Sequence, residues 1–223
     1  MKQTFKIFTV ATLVAAAAMS LAQGGGGRGG MRMMGGPGGG SMSMLLSRDD
    51  VKKEIKLTDD QAAKLEEKRT AMMEEMRGNF QAGGGGGGGD REAMMKQVQE
   101  MMKKADTEAL SVLDDTQKKR LKELWIQRSG NGVLINEDIQ KELGLSDSQK
   151  SKIKDLQAAQ SAANQEIFQK MQNGEIDRAE IRPLMEKNSK ALNEELGKVL
   201  NAEQAGKLKT MGGAAFKFDE DGN

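Results

Sequence analysis

The segment Leu46–Lys64, LSRDDVKKEIKLTDDQAAK, returns at Leu134–Lys152 as LINEDIQKELGLSDSQKSK, aligned without a gap at an offset of 88. Leu46/Leu134, Asp50/Asp138, Lys53/Lys141, Glu54/Glu142, Leu57/Leu145, Asp59/Asp147, Gln61/Gln149 and Lys64/Lys152 are identical, and Val51/Ile139, Ile55/Leu143 and Thr58/Ser146 are conservative pairs. A second echo, LDDTQ at 113–117 and LNAEQ at 200–204, lies 87 apart and matches Val112/Val199, Leu121/Leu208 and Lys122/Lys209. A duplicated chain must fold as two similar units, and the repeat sets them at 46–129 and 130–213, split near Ser129–Gly132.

All four copies share one local plan. A leucine (Leu57, Leu113, Leu145, Leu200) precedes a good N-cap residue (Thr58, Asp114, Ser146, Asn201), and three residues later stands a glutamine (Gln61, Gln117, Gln149, Gln204). This is the capping-box spacing: the cap side chain accepts from the third helical N–H while the glutamine reaches back to the cap's own N–H. Acidic residues Asp59, Asp60, Asp115, Asp147 and Glu203 add favourable charge at helix N-termini. The motif residues are therefore assigned a structural, helix-starting role.

Between these signals the chain is helix-coded, rich in Ala, Glu, Lys, Gln, Leu and Met, with Pro183 the only proline after Pro37. The expected fold class is all-α: two tandem units of long antiparallel helices with short flanking helices. In the first unit a helix over about 59–79 carries the stripe Leu65, Arg69, Met72, Met76 and Phe80. Seven glycines, Gly83–Gly89, break it, and Asp90 caps a return helix with Met94, Val98, Met101, Ala105 and Val112. The second unit repeats this with Ile153, Leu156, Ala163, Ile167 and Met171, a turn at Asn173–Gly174, and a return helix carrying Ile181, Leu184, Asn188, Leu192, Leu196 and Val199. Pro183 is expected to kink that return helix or mark its start.

Residues 1–22 have Lys2 and Lys6, an apolar run from Ile7 to Met19 and the small-residue end Ser20-Leu21-Ala22, the pattern of a signal peptide cut after Ala22 and an export route to the periplasm. Residues 23–45, rich in Gly and Met, are expected to form a disordered arm, with folded chain beginning near Ser47, and 214–223 a flexible tail. Without the leader the chain has 32 basic and 33 acidic residues, so no strong nucleic-acid footprint exists. Histidine and cysteine are absent, which removes the usual zinc ligands, the commonest general base and the most reactive nucleophile. No catalytic constellation and no cofactor are expected, and the chain is read as a non-enzyme without membrane insertion.

LTDDQ and its variants LSDSQ, LDDTQ and LNAEQ, two about 55 residues apart with a charged helical hairpin between them and a signal peptide in front, resemble the LTXXQ family of small periplasmic proteins, the Spy/CpxP group. The resemblance covers residues 46–211. It implies an all-helical cradle, built in the family by two chains, that acts without ATP in envelope stress as a chaperone or as a regulator of a stress sensor. Some relatives bind zinc or other heavy metals. The chain departs from the pattern in having four motifs, and without His or Cys that metal chemistry does not carry over. The duplication suggests that the two units pair within one chain, a monomeric internal pseudo-dimer whose partners are unfolded or partner proteins.

Of 15 methionines outside the leader, 12 precede residue 103. Met72, Met73, Met76, Met94, Met95, Met101 and Met102 surround the first hairpin's tip, where thioethers serve as adaptable core filler or as a soft surface for varied clients. Met31, Met33, Met34, Met42 and Met44 lie in the arm, where they form an alternative soft-ligand set for Cu(I) or Ag(I), the basis of a metal-handling reading. Charge runs such as Lys64–Arg69 and Lys118–Arg120 are read as solvated faces, or as basic residues flanking a groove that attracts acidic or unfolded segments.

Overall fold

The computed structural model describes residues 41–82 and 91–219, with side chains described for these except at 76, 77, 79–82, 91–99 and 102. Every regular element among them is helical: α1 (Asp49–Glu54), α2 (Asp59–Ala82), α3 (Arg91–Leu110), α4 (Asp115–Ser129), α5 (Glu137–Glu142), α6 (Asp147–Gln172), α7 (Arg178–Gly197) and α8 (Ala202–Met211), with 3-10 turns at Met42–Ser47 and Gly130–Ile135. The fold is all-α. The calls that fall on Met31, Met33, Met34, the Gly83–Gly89 break and the Asp90 cap lie outside the described residues.

The repeat is legible bond by bond. α1 and α5 occupy matched positions, and each ends in one left-handed residue, Lys56 at φ 53° and Gly144 at φ 65°. After it the next amide reaches back five residues, Leu57 N to Lys52 O at 2.9 Å and Leu145 N to Gln140 O at 2.9 Å. This is a Schellman-type stop, which satisfies carbonyls that the helix end would leave unpaired. The chain then turns directly into the caps of α2 and α6.

α6 and α7 are antiparallel neighbours. Gln149 in the first turn of α6 bonds Val199 just past α7, and Asn164 in mid-helix accepts from Asn188 at 3.1 Å. Ile153, Gln160 and Ile167 of α6 and Ile181, Leu192 and Leu196 of α7 are buried, while Leu156, Ala163, Leu184 and Met171 are half-buried. α7 begins at Arg178, five residues before Pro183, so the proline sits inside the helix and does not mark its start. The α2 stripe differs from expectation at Arg69, whose side chain is exposed and pairs with Glu66 at 3.1 Å.

One core joins residues from both sequence copies. Leu45, Leu46, Val51 and Ile55 cluster with Leu121, Leu124, Trp125 and Ile126 of α4, and these with Val133, Leu134, Ile139, Ile153, Leu192 and Leu196. Hydrophobic burial of this kind is the main favourable contribution to folding, and Leu121, Leu124 and Leu134 are fully enclosed. The segment at the repeat boundary is packed, with Ser129 and Gly132 buried. Asn193 of α7 donates to Ser129 O at 2.8 Å, and Asn131 donates its side-chain amide to Asn193 O at 3.0 Å. At the other end the fold begins earlier than Ser47: Leu45 and Leu46 are buried, and Asp106 of α3 accepts from Ser41 Oγ at 2.7 Å and Ser43 N at 2.8 Å.

Candidate functional site

The four motifs form capping boxes and also meet in pairs. Asp114, Ser146 and Asn201 each accept from the glutamine N–H three residues on while that glutamine's side chain accepts from the cap N–H. Thr58 does the same with Gln61, at 3.2 and 3.1 Å. Across the first pair, Gln61 Nε2 donates to Gln117 Oε1 at 2.7 Å and Gln117 Nε2 donates to Gln61 Oε1 at 2.8 Å, a reciprocal amide ring. The remaining hydrogens go to backbone carbonyls, Gln61 to Val112 O at 3.0 Å and Gln117 to Lys56 O at 3.3 Å. The second pair repeats this: Gln149 to Gln204 at 2.7 Å and back at 3.2 Å, Gln149 to Val199 O at 2.8 Å and Gln204 to Gly144 O at 3.5 Å.

Each glutamine therefore fills two donor and two acceptor positions, in a partly buried place where an unmatched polar group is unfavourable. The ring ties the start of α2 to the start of α4, and the start of α6 to the start of α8. Leu113, Gln117, Leu145 and Gln204 are buried, Leu57, Gln61, Gln149 and Leu200 half-buried, and the caps Thr58, Asp114, Ser146 and Asn201 exposed. The capping role was readable in the sequence; the pairing was not. Its signal is that Gln stands at all four positions in a glutamate-rich chain, although Glu serves a capping box equally well.

α2 and α3 give a different kind of surface. None of their described side chains is buried, whereas the matched α6–α7 pair buries six. A cleft of about 220 Å³ lies between α2 and α3, lined by Ala71, Met72, Glu75, Met101, Lys104, Ala105 and Glu108. Met72 and Met101 are half-buried in it, and Met73 on the next position of α2 is 44% exposed. Lys104 bonds Glu75 across the cleft at 3.0 Å, and this bond raises the lysine's pKa. Met76, Met94, Met95 and Met102 lie on the same two helices, with side chains outside the described residues. In the arm set, Met42 packs against the core and Met44 is 48% exposed.

The second pair borders a groove of a different character. Its groove of about 440 Å³ is lined by α7 residues Glu186, Ser189, Lys190, Asn193 and Glu194, all polar. Where α2 has Met72, the matched position of α6 is Gln160, buried, with its Nε2 lacking a partner. Among the described residues no group of three or more Asp or Glu is placed to hold a metal ion. No described helix is long and apolar enough to cross a membrane. No family model, curated protein or solved structure matches the chain.

Proposed function

We propose that this chain is an exported, ATP-independent chaperone-like protein that holds partly unfolded polypeptide against its α2–α3 surface. The observation that carries this reading is the contrast between the two helix pairs: one buries Ile153, Ile167, Ile181, Leu192 and Leu196, the other, among its described side chains, has a half-covered seam of Leu65, Met72, Met101, Ala105 and Leu110. Side chains left half-covered on a folded scaffold are available to an incoming apolar segment, and thioethers adapt to its shape. The charged rim, with Lys104, Glu75 and Glu108, gives reversible first contact with segments of either charge.

The duplication fits this reading. Both sequence copies feed one core through α4 and the Gly130–Ile135 turn, which supports the reading that the pairing reached by dimerisation in two-chain proteins of the LTXXQ type is replaced here by pairing inside one polypeptide. Freed from symmetry, one helix pair became the stable half and the other the receptive half.

The test is suppression of aggregation of a chemically denatured client by stoichiometric protein, with light scattering to establish the mass. Expected are a monomer, clear suppression by the wild-type chain, and its loss in Met72→Asp/Met101→Asp with helical content retained. An obligate dimer refutes the internal pairing, and absence of suppression across several clients refutes the chaperone reading.

A further inference from the structure

The last described stretch, Ala214–Asp219, makes no helix or strand, yet side chains of the body meet its peptide groups one after another. Gln127 of α4 donates through Nε2 to Gly212 O at 2.5 Å and Ala214 O at 2.8 Å, and accepts through Oε1 from Phe216 N at 2.9 Å. Arg120 donates to Ala214 O at 3.0 Å. At the far end Arg48 donates to Asp219 O at 2.7 Å, and Asp50 Oδ2 accepts from Asp219 N at 2.8 Å. Phe216 and Phe218 pack on the core, edge to face at 4.9 Å, with the guanidinium groups of Arg48 and Arg128 at 5.7 and 5.4 Å from the Phe218 ring.

We propose that the face built by Arg48, α1 and α4 is a binding site for a non-helical polypeptide segment with two aromatic side chains two residues apart followed by an acidic residue, and that the chain's own tail is its resident occupant. Bonds to peptide N–H and C=O groups recognise a non-helical backbone of any sequence, while pockets for alternate side chains supply the preference. The guanidinium pair over one ring suits an aromatic anchor, and its positive charge suits an acidic residue next to it, here Asp219.

Three of the recognising groups, Arg48, Asp50 and Arg120, also have partners outside the tail. Arg48 and Asp50 are paired at 2.8 Å, Asp50 also accepts from Val51 N at 2.8 Å, and Arg120 is fixed by Glu54 at 2.7 Å and Glu123 at 2.8 Å. The site is also outside the duplicated plan. α8 ends at Met211, matching α4 at Leu124, so Gln127 and Arg128 stand on a helical extension with no counterpart. Gly213, at φ 64°, lets the chain leave α8 and pass where a Cβ would come within 2.2 Å of Glu123. The proposal concerns α1 and α4, not the α2–α3 cleft, and stands whether or not that cleft holds clients.

The test uses the full chain and a fluorescent peptide of residues 214–220, AAFKFDE, read by anisotropy. A tethered tail competes at millimolar effective concentration, so Phe216→Ala/Phe218→Ala in the full chain should bind the peptide about tenfold or more tighter than wild type. A peptide with both phenylalanines replaced by alanine should bind neither protein. In the wild-type chain, millimolar unlabelled peptide should hasten deuterium exchange at the Phe216 and Asp219 amides. A cooperatively folded double variant that binds no peptide overturns the proposal. So do equal affinities for both proteins, or amides in the wild-type chain that stay equally protected.

Discussion

Replacing Gln61 by glutamate separates two roles that look alike in sequence. If Gln61 only completed a capping box, glutamate would serve as well, and its charge at the N-terminus of α2 would be favourable by a few tenths of a kcal/mol. The amide ring predicts the opposite sign. Glutamate retains the acceptor bonds from Thr58 N and Gln117 Nε2 but removes both donors, those to Gln117 Oε1 at 2.7 Å and Val112 O at 3.0 Å. Each lost bond that leaves a partly buried acceptor unmatched destabilises by about 1–2 kcal/mol, so Gln61→Glu should lose about 2–4 kcal/mol at pH 7. For a chain of this size that is a fall in Tm of about 5–12 °C. Urea unfolding of wild type and variant at pH 7, followed by circular dichroism, measures this directly. An unchanged or higher midpoint would refute the pairing argument.

The remaining predictions concern single positions. Lys56→Gly should stabilise by about 0.5–1 kcal/mol, because a lysine held at φ 53° carries a strain that glycine lacks, while Gly144→Ala at the matched site should destabilise by about 1 kcal/mol; thermal melts of the two variants should shift in opposite directions. Gln160→Met, which copies the residue matched at Met72, should stabilise by about 1 kcal/mol by removing a buried Nε2 without a partner, measured by urea midpoint. Asp50, its carboxyl bonded first by Arg48 and then by the Asp219 and Val51 amides against the opposing effect of burial, has its pKa lowered to about 2. A depressed carboxylate contributes stability above its unfolded value that is lost as pH falls from about 4 through 2; Asp50→Asn should therefore lose about 2 kcal/mol at pH 7 and flatten the acid limb of the stability curve.

Local features were legible in the sequence and non-local ones were not. The caps at Asp114, Ser146 and Asn201 and the long α6 follow from signals a few residues apart, and the duplication made each signal count twice. The glutamine ring escaped because its two halves are separated by 56 positions in one pair and 55 in the other, and a capping role already explained each glutamine alone. Phe216 and Phe218 sit in a short polar end that composition assigns to a loose tail; only their seating against Gln127 and Arg48 reveals an attachment. Arg69 falls on the periodic stripe of α2, but α3 covers that helix too little to enclose its long stem. Met72 and Gln160 occupy matched positions, and nothing local tells that the apolar one is half-covered while the polar one is buried.

Arg48 and Asp219, 171 positions apart, are hydrogen-bonded to each other, and this contact brings the two ends of the described body almost into a closed ring. A ring has no privileged place to begin. A short linker joining the two ends of the folded body, with new termini opened in the exposed turn at Asn173–Gly174, should leave the core and both glutamine pairs as they are. The same body would then be written from α7 onward, with the first repeat enclosed between the two parts of the second.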